Sequence, residues 1–426
     1  MSIEDVVATI GEPETAEALR PGWDESVATL PPGAPSFLDP AEIAASRAYA
    51  GLPEMLDPLL DAVATRIREQ PALLKLAWHT WRVLSGPEEG RQFHGWPSLV
   101  RALREDSGVF YLLMELAAVP RIRAVHRQLG IPEDVTRDTC RVVGCQNSNY
   151  GRLHGGRPGI LRKELYWIRN HLTGRLFRLG RFEFMLQPFY GPLVAYRHRS
   201  TGRVVALAVD GAWFDADGYV PAQPDDNRGS WQATLREDER ALTGYPIAPH
   251  GVALRQQVRL PRPEWECVLE PGQTVLDMHI PEGGNMTPER SLDSLRRAFE
   301  FFPIYFPGQS ARAVQCDSWI FGPPLEAILP PTANLVRLMR EVYLFPARHS
   351  PNEGLYYIFG SNDVDLATAL RETSLQRAVL AFLEAGGTWR CGGMFLLQDD
   401  LEHFGSQVYR VGWPALLAVL VSVASA

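Results

Sequence analysis

The spacing of apolar residues separates a helical first third of the chain from a remainder in which strands and helices mix. Over residues 55–70 the apolar side chains recur every three or four positions, which is the spacing of one helical face. The same spacing continues through 71–84 and 96–129, with few strand patterns between. We therefore predict an all-α domain over 1–155, whose first 37 residues, rich in Pro, Gly, Glu and Ala, are expected to be loosely ordered.

After this region the pattern changes from helical spacing to alternation. Residues 175–186 alternate apolar and polar side chains, as a half-buried strand does. Residues 190–199 and 203–210 flank a Ser-Thr-Gly sequence, which is typical of a hairpin turn. Antiparallel strands followed by strand–helix units predict an α+β domain over 156–426, built on a mixed sheet.

The rest of the second domain contains further predicted elements. We expect a loop excursion over 221–263. We expect a docked helix or strand at 414–426, because a membrane span needs about 20 apolar residues. The remaining predicted elements are strands at 274–280, 311–321, 355–359 and 388–398 and helices at 287–302, 331–343 and 373–385.

Charge and composition exclude several functional classes. The net charge of −8 over 426 residues does not favour bulk binding of nucleic acid. Only two lysines, Lys75 and Lys163, are available for a pyridoxal-phosphate or Walker A mechanism. Five scattered cysteines without a CxxC pair argue against a disulfide framework, and the histidine spacing predicts no metal site. The acidic N-terminus has no signal-peptide pattern, so we predict a cytoplasmic protein without membrane contact.

The most informative segment is a strand that enters a helix through a glycine turn, within Thr274–Ser291. Gly283 and Gly284 permit positive φ and close backbone approach, and Thr287 fits an N-cap that is followed by proline. Such a turn directs backbone N–H groups and the helix dipole at one point, where a phosphate binds well. Arg290 adds positive charge, but the pattern is neither GxGxxG nor a P-loop. An ordinary strand–turn–helix connection is the alternative.

Titratable residues lie beside this turn and on the next predicted strand. His279 ends the first strand and is a candidate general base near neutral pH, with Asp277 and Glu282 as alternative carboxylate bases. Cys316 and Asp317 are adjacent on the next strand and therefore face opposite sides of it. A nucleophilic cysteine would need a histidine partner, which His279 could supply. A core histidine and a buried structural cysteine are the alternatives.

A basic stretch lies between the two predicted domains. Residues 152–181 carry eight Lys and Arg side chains against one acid, Glu164. Such local charge could meet a phosphorylated cofactor or an acidic substrate. A solvated surface is the alternative.

Four segments together give the chain a family resemblance. They are YWIRNHLTGRLFRLGRFEF (166–184), VLDMHIPEGGNMTPERSLDSLRRAFEFF (275–302), CDSWIFGPPLEAILPPTANLVRL (316–338) and TSLQRAVLAFLEAGGTWRCGGMFLL (373–397). From about residue 40 to 400 the chain resembles bacterial proteins that pair a helical N-acyltransferase N-terminal domain with a GNAT-like C-terminal domain. It departs from the family pattern in two places. The turn lacks the (Arg/Gln)-x-x-Gly-x-(Gly/Ala) loop, and Asp317 replaces a histidine that commonly follows the cysteine.

The resemblance implies a GNAT-like mixed sheet with flanking helices. It also implies transfer of an acyl group from an acyl-thioester, acetyl-CoA or another acyl-CoA, to the amine of a small molecule. The strand that ends at Ile280 would face the pantetheine arm, and its backbone would polarise the thioester carbonyl. The pyrophosphate would lie against the turn, with contacts from Gly283, Gly284, Asn285, Thr287 and Arg290.

The resemblance also assigns catalytic roles. His279 is the expected base, with Glu282 or Asp317 as second candidates. Cys316 or Tyr305 would protonate the leaving thiolate. Two alternatives stay open: a donor such as an aminoacyl-tRNA or a carrier-protein thioester, suggested by the basic stretch, and a non-catalytic ligand-binding module, suggested by the two departures. The oligomeric state is left open.

Overall fold

A computed structural model describes residues 1–86, 93–221, 229–350 and 352–425. Its contacts divide the chain into two compact units. The first unit is Met1–Glu183 with Ile280–Gly284, and the second is Phe184–His279 with Asn285–Ala426. This division differs from the boundary predicted after residue 155, because Ile160, Leu165, Ile168 and Leu172 all lie in the apolar core of the first unit.

The first unit is almost entirely helical and is built around one long central helix. Its elements are α1 (Ile3–Ile10), α2 (Ala16–Leu19), α3 (Trp23–Ala28), α4 (Pro40–Tyr49), α5 (Asp57–Glu69), α6 (Pro71–Ser85), α7 (Val100–Leu103), α8 (Ser107–Gln128), α9 (Glu133–Cys140), α10 (Val142–Leu153), α11 (Ile168–Leu172) and β1 (Phe177–Leu179). The central helix α8 is buried around most of its circumference, since α4, α5, α6, α10 and α11 all pack on it. Three-residue to six-residue 3-10 turns join several of these helices.

The first 37 residues include the three helices α1, α2 and α3, so the expectation of loose order was wrong. Ser2 and Asp5 form a reciprocal capping box that satisfies free N–H groups at the start of α1. The apolar side chains of α1 form one buried stripe in the core. This stripe and the cap provide the stabilisation that the average composition of the segment does not reveal.

The second unit contains fifteen strands and six helices among its described residues. The strands are β2 (Phe182–Pro188, which begins in the first unit), β3 (Leu193–His198), β4 (Val204–Ala208), β5 (Trp213–Phe214), β6 (Trp231–Gln232), β7 (Arg236–Glu237), β8 (Ala241–Gly244), β9 (Pro246–Ala248), β10 (Val252–Ala253), β11 (Val258–Pro261), β12 (Trp265–Leu269), β13 (Thr274–His279), β14 (Ala313–Ser318), β15 (Tyr343–Phe345) and β16 (Gly392–Leu397). The helices are α12 (Pro288–Tyr305), α13 (Pro324–Ile328), α14 (Asn334–Glu341), α15 (Leu355–Phe359), α16 (Ser374–Glu384) and α17 (Trp413–Ser425).

The main sheet is mixed, as predicted. In the second unit its strands follow the order β2, β13, β14, β16, β15. Strands β13 and β14 are parallel and are joined through α12, whereas β16 is antiparallel to both β14 and β15. A second sheet has the order β10, β9, β4, β3, β12, and smaller sheets join β11, β8 and β7 and join β5 and β6. The fold class is therefore α+β, and the predicted hairpin of β3 and β4 is confirmed.

Two predicted elements were wrong. Residues 355–359, predicted as a strand from their aromatic and β-branched side chains, form the helix α15. Gly354 and Gly360, on either side of this helix, both have positive φ. Positive φ interrupts the extended backbone that a strand would need at these two positions. The predicted excursion at 221–263 contains paired strands, since β8 and β11 align antiparallel over four residue pairs. Residues 222–228 of this excursion lie outside the described part of the chain.

The predicted N-cap at Thr287 is confirmed. Thr287 caps α12 by accepting a hydrogen bond from the N–H of Arg290, and Pro288 is the first helical residue. Thr373 caps α16 with a complete capping box. Helix α17 packs on β11, and its Trp413 side chain lies in the apolar core. Among the described residues, no helix is both long and apolar enough to cross a membrane.

Candidate active site

The candidate site lies where the parallel strands β13 and β14 end. Their register pairs Leu276 with Val314 and Asp277 with Gln315. Side chains two residues apart on a strand share a face. His279 therefore follows Asp277 on one face of β13, and Asp317 follows Gln315 on β14 at the same level. Two adjacent strands thus present a histidine and a carboxylate at the same edge of the sheet.

At the end of β13, Asp277 is the centre of a polar cluster. Its Oδ2 lies 3.1 Å from Nε2 of His279, and its Oδ1 accepts a hydrogen bond of 3.2 Å from the hydroxyl of Tyr190. Gln315 fixes the Tyr190 backbone, because its Oε1 accepts from the Tyr190 N–H and its Nε2 donates to the Pro188 carbonyl. The Asp277 side chain is only 8% exposed, whereas that of His279 is 28% exposed. A buried carboxylate thus supports a histidine that a ligand can reach.

The Tyr190 hydroxyl and the Cys316 thiol, at the same edge of the sheet, both have raised pKa values and stay protonated. Burial, with the nearby Asp277 and Asp317 carboxylates, raises the pKa of the Tyr190 hydroxyl. The same causes raise the pKa of the fully buried Cys316 thiol well above its usual value. Neither residue is ionised near neutral pH, so Cys316 is not placed as a nucleophile. Tyr190, 51% exposed, can donate a hydrogen bond to a ligand.

At the end of β14, Asp317 pairs with a second histidine. His349, from the segment after β15, places Nε2 at 2.5 Å from Oδ1 of Asp317. Its Nδ1 lies 3.4 Å from Oε1 of Glu353. The Glu353 carbonyl in turn accepts hydrogen bonds from Cys391 Sγ, at 3.1 Å, and from Trp389 Nε1, at 2.9 Å. His349 therefore lies between two carboxylates. The contacts of Nε2 with Asp317 and of Nδ1 with Glu353 fix the orientation of its ring.

The charge state of this pair follows from its geometry. Burial opposes a charged imidazole, but hydrogen bonds with Asp317 and Cys391 outweigh it and raise the pKa of His349 to about 11. Burial raises the pKa of Asp317, and the hydrogen bond from His349 opposes that shift. We conclude that the hydrogen bond with Asp317 favours the charged form of the His349 imidazole at neutral pH.

The glycine turn of the first unit lies among basic side chains of the same unit. Gly283 and Gly284 have φ of 88° and 74°, values that favour glycine. Arg181 donates a hydrogen bond of 2.9 Å to the Pro281 carbonyl. Glu282 lies 3.9 Å from Arg152, and burial raises its pKa while Arg152 opposes the shift.

The segment after the turn belongs to the second unit and begins α12. Asn285 and Thr287 precede the helix, and Arg290 lies in its first turn. Tyr305 is the last residue of α12, about 25 Å along the helix axis from the first at 1.5 Å per residue. A role for Tyr305 next to the turn is therefore incompatible with the helix geometry, and we remove it from the set of candidate acids.

Comparison with family models shows which family the chain belongs to. The model of the GNAT-like C-terminal domain matches residues 176–396, more than half of the chain. The chain belongs to the GNAT-like C-terminal domain family. The model of the N-acyltransferase N-terminal domain matches residues 42–174, so both domains of the predicted resemblance are present.

Solved structures share the fold of this GNAT-like protein over nearly its whole length. A crystal structure of an acyltransferase with decanoyl-CoA and teicoplanin aligns with a TM-score of 0.62 and 23% identity, covering 93% of this chain and 100% of that chain. A mutant acyltransferase in complex with octanoyl-CoA gives the same TM-score and identity and covers 99% of that chain. No curated protein matches the chain.

The basic stretch of the GNAT-like protein is not one continuous charged face. Arg169 is buried and donates to the carbonyls of Val83 and Leu84. Arg157 pairs with Glu105 at 2.9 Å. Arg169 and Arg157 thus make their contacts within the first unit.

Several site residues were not identified from the sequence of the GNAT-like protein. His349 and Glu353 lie more than 30 residues after Asp317, in a segment without a recognisable motif. Tyr190 and Gln315 are brought together by strand pairing and by contacts of the chain after β2. Only the packing of segments that are distant in the sequence reveals these neighbours. No group of three or more His, Cys, Asp or Glu residues in the described ranges could hold a metal ion.

Proposed function

We propose that this protein transfers an acyl group from an acyl-CoA to an amine of a small molecule. The observation that carries the proposal is the pairing of His279 with the buried Asp277 at the end of β13, in a chain of the GNAT-like family. A histidine near neutral pH, supported by a carboxylate, is the kind of base that amine acylation needs. The solved acyltransferases of the same fold contain octanoyl-CoA and decanoyl-CoA, which supports CoA as the carrier.

In the proposed reaction the amine nitrogen attacks the thioester carbonyl, and a C–N bond forms. His279 takes one proton from that nitrogen as the tetrahedral intermediate develops. The C–S bond then breaks, and CoA leaves as a thiolate, which takes a proton from solvent while the Tyr190 hydroxyl donates a hydrogen bond to it. Asp277 orients the imidazole and stabilises its positive charge during the transfer.

Tyr190 replaces the two donors predicted from the sequence. Cys316 is buried, so a thiolate leaving the substrate cannot reach its thiol. Tyr305 ends α12 far from its beginning. Tyr190 is half exposed and hydrogen-bonded to Asp277, so it combines access with a fixed position.

The acyl-CoA is proposed to lie along β13, with its pantetheine arm facing the strand through Ile280. Its pyrophosphate would meet the N–H groups of the turn and of the start of α12, with Gly283, Gly284, Asn285, Thr287 and Arg290 as contacts. The 18-residue α12, capped by Thr287, contributes the positive end of its dipole there. Glu282, which shares this turn, is proposed to face away from the phosphates, because two anions repel each other.

Calorimetry and a transfer assay test the proposal together. Titration with CoA and with decanoyl-CoA should give saturable heat, and the Arg290→Glu variant should bind both more weakly. A panel of primary amines incubated with decanoyl-CoA should then release free thiol only with the amines that are accepted. Binding without transfer to any amine in a broad panel would favour a ligand-binding module. No binding of either CoA compound would contradict the proposal. A cytoplasmic location, where acyl-CoA is available, belongs to the same proposal.

A further inference from the structure

The segment that carries His349 is fixed against the end of β14 by close packing. Gly354 has φ of +87°, and a Cβ added to it would lie 2.2 Å from Cβ of Trp319. Only glycine can therefore pack at that distance from Trp319, which immediately follows β14. Together with the hydrogen bonds of Trp389 and Cys391 to the Glu353 carbonyl, this contact holds the segment in place. The packing of the second unit therefore holds His349 close to Asp317.

The pairing leaves one oxygen of Asp317 for another partner. Oδ1 is bonded to His349, and in the described part of the chain no hydrogen bond reaches Oδ2. The register of β13 and β14 puts Asp317 level with His279 on the same face of the sheet. An acceptor amine that gives a proton to His279 would therefore lie within reach of both strands.

We infer that His349 is a positioning residue for the proposed acyl transfer, holding Asp317 ionised and oriented so that its Oδ2 accepts an N–H of the acceptor amine. The inference rests on the proposed function and adds the group that orients the acceptor. An attacking amine must point its lone pair at the carbonyl carbon, so its N–H bonds need acceptors elsewhere. A protonated Asp317 would instead offer its O–H to that lone pair and oppose the attack.

The charges around the pair explain why a histidine is needed there. Asp317 and Glu353 flank His349 directly, the Cys391 thiol lies against it, and Asp277 acts on Asp317 from the neighbouring strand. Tyr190 and Cys316, which also feel the Asp317 charge, are uncharged. Without the imidazolium, Asp317 would be a partly buried carboxylate among other carboxylates, and it would tend to take up a proton.

Kinetics of His349 variants test the inference in the full-length protein. Decanoyl-CoA and the best amine of the panel serve as substrates, and kcat and KM are measured from pH 5.5 to 9.5. For His349→Gln we expect kcat/KM for the amine to fall about tenfold or more, with the acid limb of the profile moved to higher pH. The dissociation constant for CoA should not change. His349→Arg, which keeps a charged donor, should recover part of the loss. His198→Gln, the same change at a histidine that pairs with Glu264 outside the site, should stay within about twofold of the wild type.

An unchanged pH profile and amine KM in His349→Gln would overturn the inference. If that variant also loses CoA binding, its fold is damaged, and the His349→Arg comparison then decides. A second measurement needs no acceptor: NMR titration of the His349 ring in the wild type and in Asp317→Asn. We expect the midpoint to fall toward about 6.5 in the variant. Equal midpoints would overturn the inference even if acyl transfer is established, whereas a shifted midpoint without any acyl transfer would count against the proposed function alone.

Discussion

The ends of β13 and β14 each carry an acid–histidine pair, but the two pairs are constructed differently. On β13, Asp277 and His279 are two residues apart on one strand, so strand geometry alone brings them together. On β14, Asp317 meets a histidine from 32 residues further along the chain. The first pair leaves its histidine accessible, and the second encloses its histidine between carboxylates. We conclude that the first histidine is placed to exchange protons and the second to keep one.

Removal of His279 should lower the rate of acyl transfer more than any other single change at the two strand ends. We expect His279→Ala to lower kcat/KM for the amine about a hundredfold to ten-thousandfold, because the proposed base is lost. Binding of CoA by calorimetry should be unchanged, which separates a chemical loss from a folding defect. A variant with near wild-type turnover would assign the base elsewhere, with Glu282 as the next candidate.

Substitution of Asp277 should lower the rate of acyl transfer more than substitution of Asp317. Asp277→Asn should lower kcat about a hundredfold, since the base loses its supporting charge. Asp317→Asn should lower kcat/KM about tenfold, which corresponds to one lost hydrogen bond to the amine. Parallel steady-state kinetics on the two variants measures the difference. Equal losses would mean that the two strand ends have the same role.

The contrast between the two pairs also shows what could be predicted from the sequence. The α+β class, the strand–turn–helix unit and the cap at Thr287 depend on local patterns, and all were found. The sequence indicated His279 and Asp277 separately, as alternative candidate bases, and the structure shows that the two side chains are in contact. His349 and Tyr190 could not be, because only the packing of distant segments brings them to the site. The ordered first 37 residues were missed for another reason, since average composition concealed the apolar stripe of α1.

Loss of the Tyr190 hydroxyl, at the end of β13, should lower kcat less than the loss of His279 or Asp277. Tyr190→Phe removes the hydrogen bond to Asp277 and a hydrogen-bond donor to the leaving thiolate. We expect kcat to fall about threefold to tenfold, because solvent still protonates the thiolate. Release of free thiol under saturating decanoyl-CoA measures it. A loss as large as that of His279→Ala would instead make Tyr190 essential for the chemistry.

A further effect concerns stability and belongs to the β14 end. Hydrogen bonds with Asp317 and Cys391 outweigh burial and raise the pKa of His349 to about 11, above the value of about 6.5 in an unfolded chain. The stabilisation from that proton is therefore complete below about pH 6.5 and is lost as the pH rises toward 11. Urea denaturation at pH 6.5 and 9.5 should show a larger fall in the free energy of unfolding for the wild type than for His349→Gln. A fall of the same size in both proteins would mean that His349 is not held as an imidazolium.

The most direct test of the central claim is a single-turnover experiment with decanoyl-CoA bound to excess enzyme and an accepted amine added. Mass spectrometry follows the decanoyl group from the thioester to the amine. We predict that the wild type forms the amide and releases CoA in equal amounts, and that His279→Ala binds decanoyl-CoA but forms amide at least about a hundredfold more slowly. Amide formation at the same rate in both proteins, or none in the wild type with decanoyl-CoA bound, would contradict the claim that the end of β13 carries out acyl transfer.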